Sequence, residues 1–242
     1  MFSLFAKNLP ADFFQGCCDM HCHILPGVDD GCANVEDSLK ALKHLEQIGF
    51  KKMRLTPHFM ETYPENEKET IKVKFEAFKE TLAGKCGIEL HLAAEHMIDG
   101  GFLKHYERGF LTLDDDDLVL CETSYLMPAP DMSNELFDIM QGGFQPVIAH
   151  PERYQYASKE RYERWKDRNY MFQLNLLSLS GAYGGNVREK ALDMLHKGMY
   201  DFVGTDLHKV GSFEKLVPLI KLKTKEVDAL HRLYENNEKL FK

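Results

Sequence analysis

Seven short apolar runs alternate with amphipathic helical stretches along this chain, and that alternation narrows its fold more than any other feature. Strands are expected at about 17–22, 52–56, 88–94, 118–121, 146–149, 171–174 and 201–203. The clearest helical pattern is 35–48, where Leu39, Leu42, Leu45 and Ile48 share one face. Asn34 is placed to cap its start and Gly49 to end it. Further helices are expected at about 67–82, 132–141, 159–167, 187–196 and 223–235. Strands that are each followed by a helix or loop build a parallel sheet. The fold class is therefore α/β, with a (β/α) TIM-like barrel as the architecture. No linker, repeat or low-complexity segment interrupts residues 1–242, so a single domain is expected. The acidic run Leu113–Leu118 reads as a solvated turn before a strand.

In parallel β/α folds, functional side chains gather at the carboxyl ends of strands. Here those ends carry His21 and His23 followed by Asp29 and Asp30, then His58, Glu95, Glu122, His150 with Arg153, Asn175, and Asp206 with His208. His21 and His23 share one face of a strand because side chains alternate with period two, and so do Asp206 and His208. Two imidazoles side by side on a buried face have little structural use, so a metal site is expected. The candidate ligands are His21, His23, Asp30, His58, Glu95, Glu122, His150, Asp206 and His208. Nine are too many for one ion, since a catalytic zinc needs about three protein ligands. Two or three ions with bridging carboxylates fit better. Mixed imidazole and carboxylate donors without thiolate suit Mn, Fe, Zn or Co and disfavour Cu(I). Cys22, between the two histidines, faces the other side of the strand.

Composition trims the alternatives. The net charge is −8, and no basic stripe or block appears, which argues against nucleic acid as a partner. No run of about 18 apolar residues exists, so direct membrane insertion is not expected. The opening MFSLFAKNLP is too short and too interrupted for a signal peptide, and a cytoplasmic location is expected. The six cysteines form no C-x-x-C pair.

The stretches DMHCHILPGVDDG (Asp19 to Gly31), TPH ending at His58, Glu95, ETS from Glu122, AHPERY from Ala149 and GTDLH ending at His208 together resemble the polymerase-and-histidinol-phosphatase (PHP) superfamily. Within it they are most similar to the bacterial manganese-dependent protein tyrosine phosphatases of capsule and exopolysaccharide loci. The resemblance spans nearly the whole chain. It implies a distorted seven-stranded β/α barrel holding three ions, with Mn2+ first and Fe, Zn, Co or Mg as alternatives. It implies that His21, His23, Glu95 and Asp206 hold one ion, that Glu95 bridges to a second completed by Glu122 and His150, and that Asp30, His58 and His208 hold the third. It also implies that Arg153 contacts phosphate. The partner it implies is the phosphotyrosine tail of a membrane-anchored bacterial tyrosine kinase controlling polysaccharide synthesis. One departure stands out. In relatives an Asn after the His and an arginine a few residues on are associated with the DxH motif, whereas the run here is DLHKVGSF, with Lys209 and no arginine.

The chemistry follows from charge. Four carboxylates (Asp30, Glu95, Glu122, Asp206) against three divalent ions leave a surplus of about two positive charges, matched to a phosphate monoester dianion. A metal-bound hydroxide is then the expected nucleophile, with Arg153 stabilising the charge that develops. Asp29 or a metal-bound water is the candidate acid. The cysteine route of other tyrosine phosphatases needs an arginine six residues after the cysteine, and none of the six cysteines has one. The main alternative is a histidinol-phosphate or other small-molecule phosphatase of the same superfamily. A metal-dependent amidohydrolase commonly bridges its metals with a carboxylated lysine at the end of the fourth strand, where this chain has Glu122. A non-catalytic binding module would tolerate gaps in a ligand set that looks complete.

Overall fold

The computed structural model describes residues 5–114, 117–130 and 132–241. Asp115 and Asp116, inside the acidic run, lie outside the described residues, as do the first four residues of the N-terminal segment. In chain order the elements are β1 Lys7–Asn8, β2 Cys18–Cys22, α1 Val35–Ile48, β3 Lys52–Leu55, β4 His58–Phe59, α2 Lys68–Leu82, β5 Glu89–Leu92, β6 Glu95–Met97, α3 Phe102–Arg108 and β7 Leu118–Glu122. They continue with α4 Met132–Gln141, β8 Gln145–Ala149, α5 Lys159–Asp167, β9 Met171–Asn175, α6 Gly185–His196, β10 Phe202–Gly204, α7 Val210–Leu216, β11 Lys221–Leu222 and α8 Thr224–Glu238. Helix α1 runs where its pattern and caps place it. The Asn34 side chain accepts the Asp37 N–H at 3.0 Å, and Gly49 ends the helix at φ 114°, donating its N–H to Leu45 and Glu46 carbonyls.

The strands form a curled, parallel sheet of six in the order β10-β9-β8-β7-β6-β4, together with a parallel sheet of three, β2-β3-β5. The seven expected strand regions are thus present, but the hydrogen bonding divides among two sheets rather than one. The division falls where β3 passes into β4 through Thr56 and Pro57, and where β5 passes into β6 through Ala93 and Ala94. Pro57 has no N–H for a ladder. At the other edge the chain after β10 runs beside the end of β2: the Asp206 N–H donates to the His21 carbonyl at 2.9 Å, and the His23 N–H to the Leu207 carbonyl at 2.9 Å.

The apolar sheet faces pack under the helices. A second apolar cluster, inside the curl, comprises Cys18, Met20, Ala93, Leu113, Leu118, Leu120, Val147, Ala149, Phe202, Leu240 and Phe241. Its last two members follow α8. The Arg54 guanidinium donates to the Leu240 carbonyl at 2.6 Å and lies over the Phe241 ring, while Lys52 reaches the Phe241 carbonyl. The end of the chain therefore seals the amino ends of the strands, away from the carboxyl ends. Among the described residues no helix is long and apolar enough to cross a membrane.

Candidate metal centre

All nine histidines and carboxylates expected as ligands meet at the carboxyl ends of the strands, in four overlapping groups whose donor atoms lie within 4.8 Å of one another. Local backbone brings them there. At Gly31 a Cβ would stand 2.0 Å from the His23 carbonyl oxygen, and at Gly204 one would stand 2.6 Å from the His21 Cβ. Only glycine lets the Asp29–Gly31 turn and β10 pass so close to the two imidazoles. His150 and Asp206 sit in the left-handed region, at φ 33° and 50°. Such conformations are uncommon outside glycine and cluster at functional sites.

The donor atoms are arranged around points, not around each other. His21 Nε2 and His23 Nε2 are 3.1 Å apart. Glu95 Oε2 lies 3.3 and 3.4 Å from them, and Asp206 Oδ1 lies 3.6 and 3.4 Å from them. A tetrahedral shell with metal–ligand bonds of about 2.0–2.2 Å has edges of about 3.3–3.6 Å. Protonation follows from the partners. His21 Nδ1 pairs with Gln173 Oε1 at 3.0 Å, and His23 Nδ1 with Asp29 Oδ2 at 2.9 Å. Both acceptors place a proton on Nδ1, so that an Nε2 lone pair is what each ring would offer to an ion. Two imidazole nitrogens and two carboxylate oxygens thus face one another, an arrangement that a cation would stabilise.

The neighbouring groups extend the pattern. Glu95 Oε1 lies 2.9 Å from His150 Nε2, so its two oxygens face different donors, as a bridging carboxylate requires. Glu122 Oε2 is 3.8 Å from the same His150 nitrogen. Asp30 Oδ1 stands 3.4 Å from both His58 Nε2 and His208 Nε2, and the His208 Nδ1 proton goes to the Asp206 carbonyl. His58 faces two groups at once. Its Nδ1 is 2.9 Å from Glu122 Oε1 and 3.1 Å from Glu95 Oε2, yet none of these three atoms has hydrogen-bond geometry to a partner. Buried polar atoms that approach closely without bonding to each other are what a metal shell leaves behind when its ion is taken away. Burial alone would raise the Glu95 carboxyl. Positive charge on the surrounding imidazoles, His21 foremost with His150 and His23, outweighs it and holds Glu95 well below the ordinary range, as an anion.

Asp29, expected as an acid, has a different place. Its Oδ2 accepts from His23 Nδ1 and from the His58 N–H at 3.1 Å, and its Oδ1 accepts the Gly31 N–H at 3.0 Å. Burial works to raise its carboxyl, but the His23 hydrogen bond and charge hold it below the usual range. With its oxygens serving as acceptors it has no proton to give, and the geometry is that of a carboxylate orienting an imidazole. Gln173, which fixes both His21 and the His150 N–H, was not singled out from the sequence. Its position two residues before Asn175, facing inward on β9, is the signal that could have marked it.

Arg153 follows His150 on a 3₁₀ turn, Pro151–Arg153. Its Nη1 donates to Asp206 Oδ2 at 2.8 Å, and Asn175 donates to the same oxygen at 2.7 Å. A cavity of about 430 Å³ opens over the cluster, lined by Asp30, His58, Asp206 and His208 on one side, Arg153 and Lys209 as cations, and Tyr125, Leu177, Tyr183 and Leu216 among its apolar walls. Cys22 points away from it, as expected, its thiol donating to the Arg54 carbonyl. His96 does not reach the cavity: it is buried against Phe59 and Phe110, and burial pushes its pKa down to about 3. His105 is also buried, against the Phe59 ring.

Residues 17–242 match the family described as capsular polysaccharide synthesis, CpsB/CapC. The tyrosine-protein phosphatase YwqE of Bacillus subtilis is 28% identical over 198 residues, covering 79% of this chain and 77% of that protein. The tyrosine-protein phosphatase CpsB of Streptococcus pneumoniae is 27% identical over 204 residues, covering 80% and 84%. A crystal structure from work on these two enzymes, described as unique metal-dependent tyrosine phosphatases, superposes with a TM-score of 0.79 at 24% identity over 92% of this chain and 93% of the other. With the fold shared along nearly its full length and the family pattern running from Cys17 to the last residue, this chain belongs to the CpsB/CapC family of capsular polysaccharide synthesis proteins.

Proposed function

We propose that the chain is a metal-dependent protein tyrosine phosphatase acting on the phosphotyrosine tail of a membrane-anchored bacterial tyrosine kinase that regulates capsule or exopolysaccharide synthesis. The observation that carries this reading is the convergence of lone pairs from His21, His23, Glu95 and Asp206 beneath a cavity with Arg153 at its edge. The relatives' names, tyrosine-protein phosphatase in each case, give the substrate class.

Divalent ions, manganese by preference, would supply Lewis acidity and an activated water. His21, His23, Glu95 and Asp206 would hold the first, Glu95, Glu122 and His150 the second, and Asp30, His58 and His208 the third, with His58 also facing the second. Asp29 and Gln173 orient the imidazoles of His23 and His21. Arg153 offers its remaining N–H groups to the phosphate oxygens on which charge builds. Lys209, in the same cavity, is the second cation. The phenol leaves with a pKa near 10 and needs modest acid assistance. Around this site the two sheets act as one distorted seven-stranded barrel, in a single PHP-type domain working in the cytoplasm.

The test compares a phosphotyrosine peptide with histidinol phosphate, each with Mn2+ and with chelator. Hydrolysis of the peptide, lost on chelation and abolished in His150→Ala, is expected. Preference for histidinol phosphate would refute the substrate, and activity surviving chelation would refute the metal.

A further inference from the structure

Arg153 borders two cavities. One is the cavity over the candidate metal ligands, about 430 Å³. The other, about 570 Å³, lies on its far side and is lined by Glu152, Gln155, Gly184, Gly185, Asn186 and Lys190 among others. A long guanidinium side chain between two open spaces has the freedom to leave the first. Among the described residues, Asp206 is the one acceptor of its hydrogen bonds, through Nη1 alone.

What else holds it is aromatic. The guanidinium carbon lies 4.1 Å from the centre of the Tyr125 ring and 4.4 Å from that of Tyr183. Both are well inside the roughly 6 Å reach of a cation–π contact. Tyr183 borders both cavities as well. It stands between Gly181 and Gly184, which hold φ of 83° and 102°, in the turn that joins the 3₁₀ segment Leu176–Ser180 to α6. Tyr125 follows β7 three residues after Glu122, and its ring also lies 5.6 Å from the His150 ring.

We propose that Tyr125 and Tyr183 are positioning residues for Arg153: their ring faces fix the guanidinium plane so that its free N–H edge meets a phosphate oxygen in the metal-side cavity. Ring faces occupy the plane and leave the in-plane donors free, which suits a fork that must bind two oxygens at once. The rings also make the ordering cost of the arginine small before substrate arrives, because its rotamers are already restricted. The inference rests on the phosphate-binding reading of this site, and deepens it.

The test is calorimetric binding of inorganic phosphate to the Mn2+-loaded protein, which does not depend on which phosphate ester is the substrate. Tyr183→Phe keeps the ring face and should bind phosphate as the wild type does. Tyr183→Leu, or Tyr183→Met should that variant be unstable, keeps apolar bulk without the face. It should weaken phosphate binding by about 3–30-fold. The metal stoichiometry and the melting temperature in chelator should stay at wild-type values, and the same variants should raise KM for p-nitrophenyl phosphate. Phosphate binding by Tyr183→Leu equal to wild type would overturn the positioning role. So would equal weakening in Tyr183→Phe, which would assign the effect to the hydroxyl. Absence of phosphate binding in the wild type would overturn the phosphate site itself and this inference with it.

Discussion

Glu95→Gln isolates the carboxylate proposed to bridge two ions from everything else in the site. The two side chains have nearly the same volume, and Glu95 is fully buried, so packing is conserved. The exchanged amide N–H2 can donate to His150 Nε2, which stands 2.9 Å from Oε1, so the metal-free fold should hold. The metal-binding balance changes on three counts. One of two ligating oxygens becomes a nitrogen with no lone pair to give. The local charge loses one negative unit, leaving three carboxylates against the ions. The Oε2 vertex, 3.3 and 3.4 Å from His21 Nε2 and His23 Nε2, loses its anionic character. Removing a partner one step further from a metal costs about 10–100-fold in affinity. Removing a direct, shared ligand should therefore cost at least about 100-fold at both ions it touches, roughly 2.7 kcal/mol each. The group of His23, Asp30, His58 and His208 does not use Glu95 and should keep its ion. The assay is competition against a metallochromic chelator, with bound metal counted by elemental mass spectrometry. A Glu95→Asp variant, which draws the carboxylate back by about one C–C bond, ~1.5 Å, should fall between. Wild-type stoichiometry and affinity in Glu95→Gln would refute the bridging geometry, and with it the division of donors argued from these distances.

Further predictions come from other parts of the fold. Gly31→Ala should destabilise the protein by about 1–3 kcal/mol in denaturant titration and lower metal affinity as well, because its Cβ would strike the His23 carbonyl; unchanged metal binding would mean that the turn can shift without moving His23. Phe241→Ala should cost about 3–5 kcal/mol while kcat stays at the wild-type value, since the ring plugs the end of the sheet opposite the cavity; loss of turnover in folded protein would contradict that separation. Cys22→Ser should leave activity intact, its hydroxyl replacing the thiol that donates to the Arg54 carbonyl at 3.4 Å; an inactive, folded variant would place the thiol in the chemistry. His105 is held neutral by burial, its pKa lowered from 6.5. The unfolded chain therefore takes up the proton first on acidification, and stability falls as pH drops below about 6.5. His105→Gln should flatten that part of the stability–pH curve, and an unaltered curve would refute the assignment.

The longer helices and the seven strand regions were legible because periodicity and caps are local, whereas the short helices α3 and α7 were not expected. The pattern of Leu39, Leu42 and Leu45 with Asn34 and Gly49 at its ends fixed α1 to the residue. The convergence of the nine candidate donors was legible because most of them stand at or just after the end of an apolar strand, and the topology then brings those ends together. What stayed hidden depends on three-dimensional neighbours. Asp29 is next to Asp30 in sequence, yet it turns under His23 and accepts hydrogen bonds, which no spacing rule distinguishes from an acid. Tyr183 lies in a glycine-flanked turn that reads as a plain loop, and its meaning comes from Arg153, thirty residues earlier. Phe241 looks like a frayed terminus, and only the depth of the curled sheet makes it a plug. The split of the strands into two sheets falls at Thr56–Pro57 and Ala93–Ala94, a local irregularity too fine for an apolar pattern to reveal.

The left-handed backbone at His150 and Asp206 filters the chemistry these positions can host. Metals are held by His, Asp, Glu and Cys, whereas left-handed conformations outside glycine favour Asn, Asp and His. The overlap of the two sets is aspartate and histidine, the residues found there. An attempt to retune the centre toward a softer ion by installing cysteine at 150 or 206 would therefore meet resistance from the main chain before any question of ligand preference arose. His58 and Glu122, which do not share that conformation, are among the positions where an altered ligand alphabet meets no such barrier.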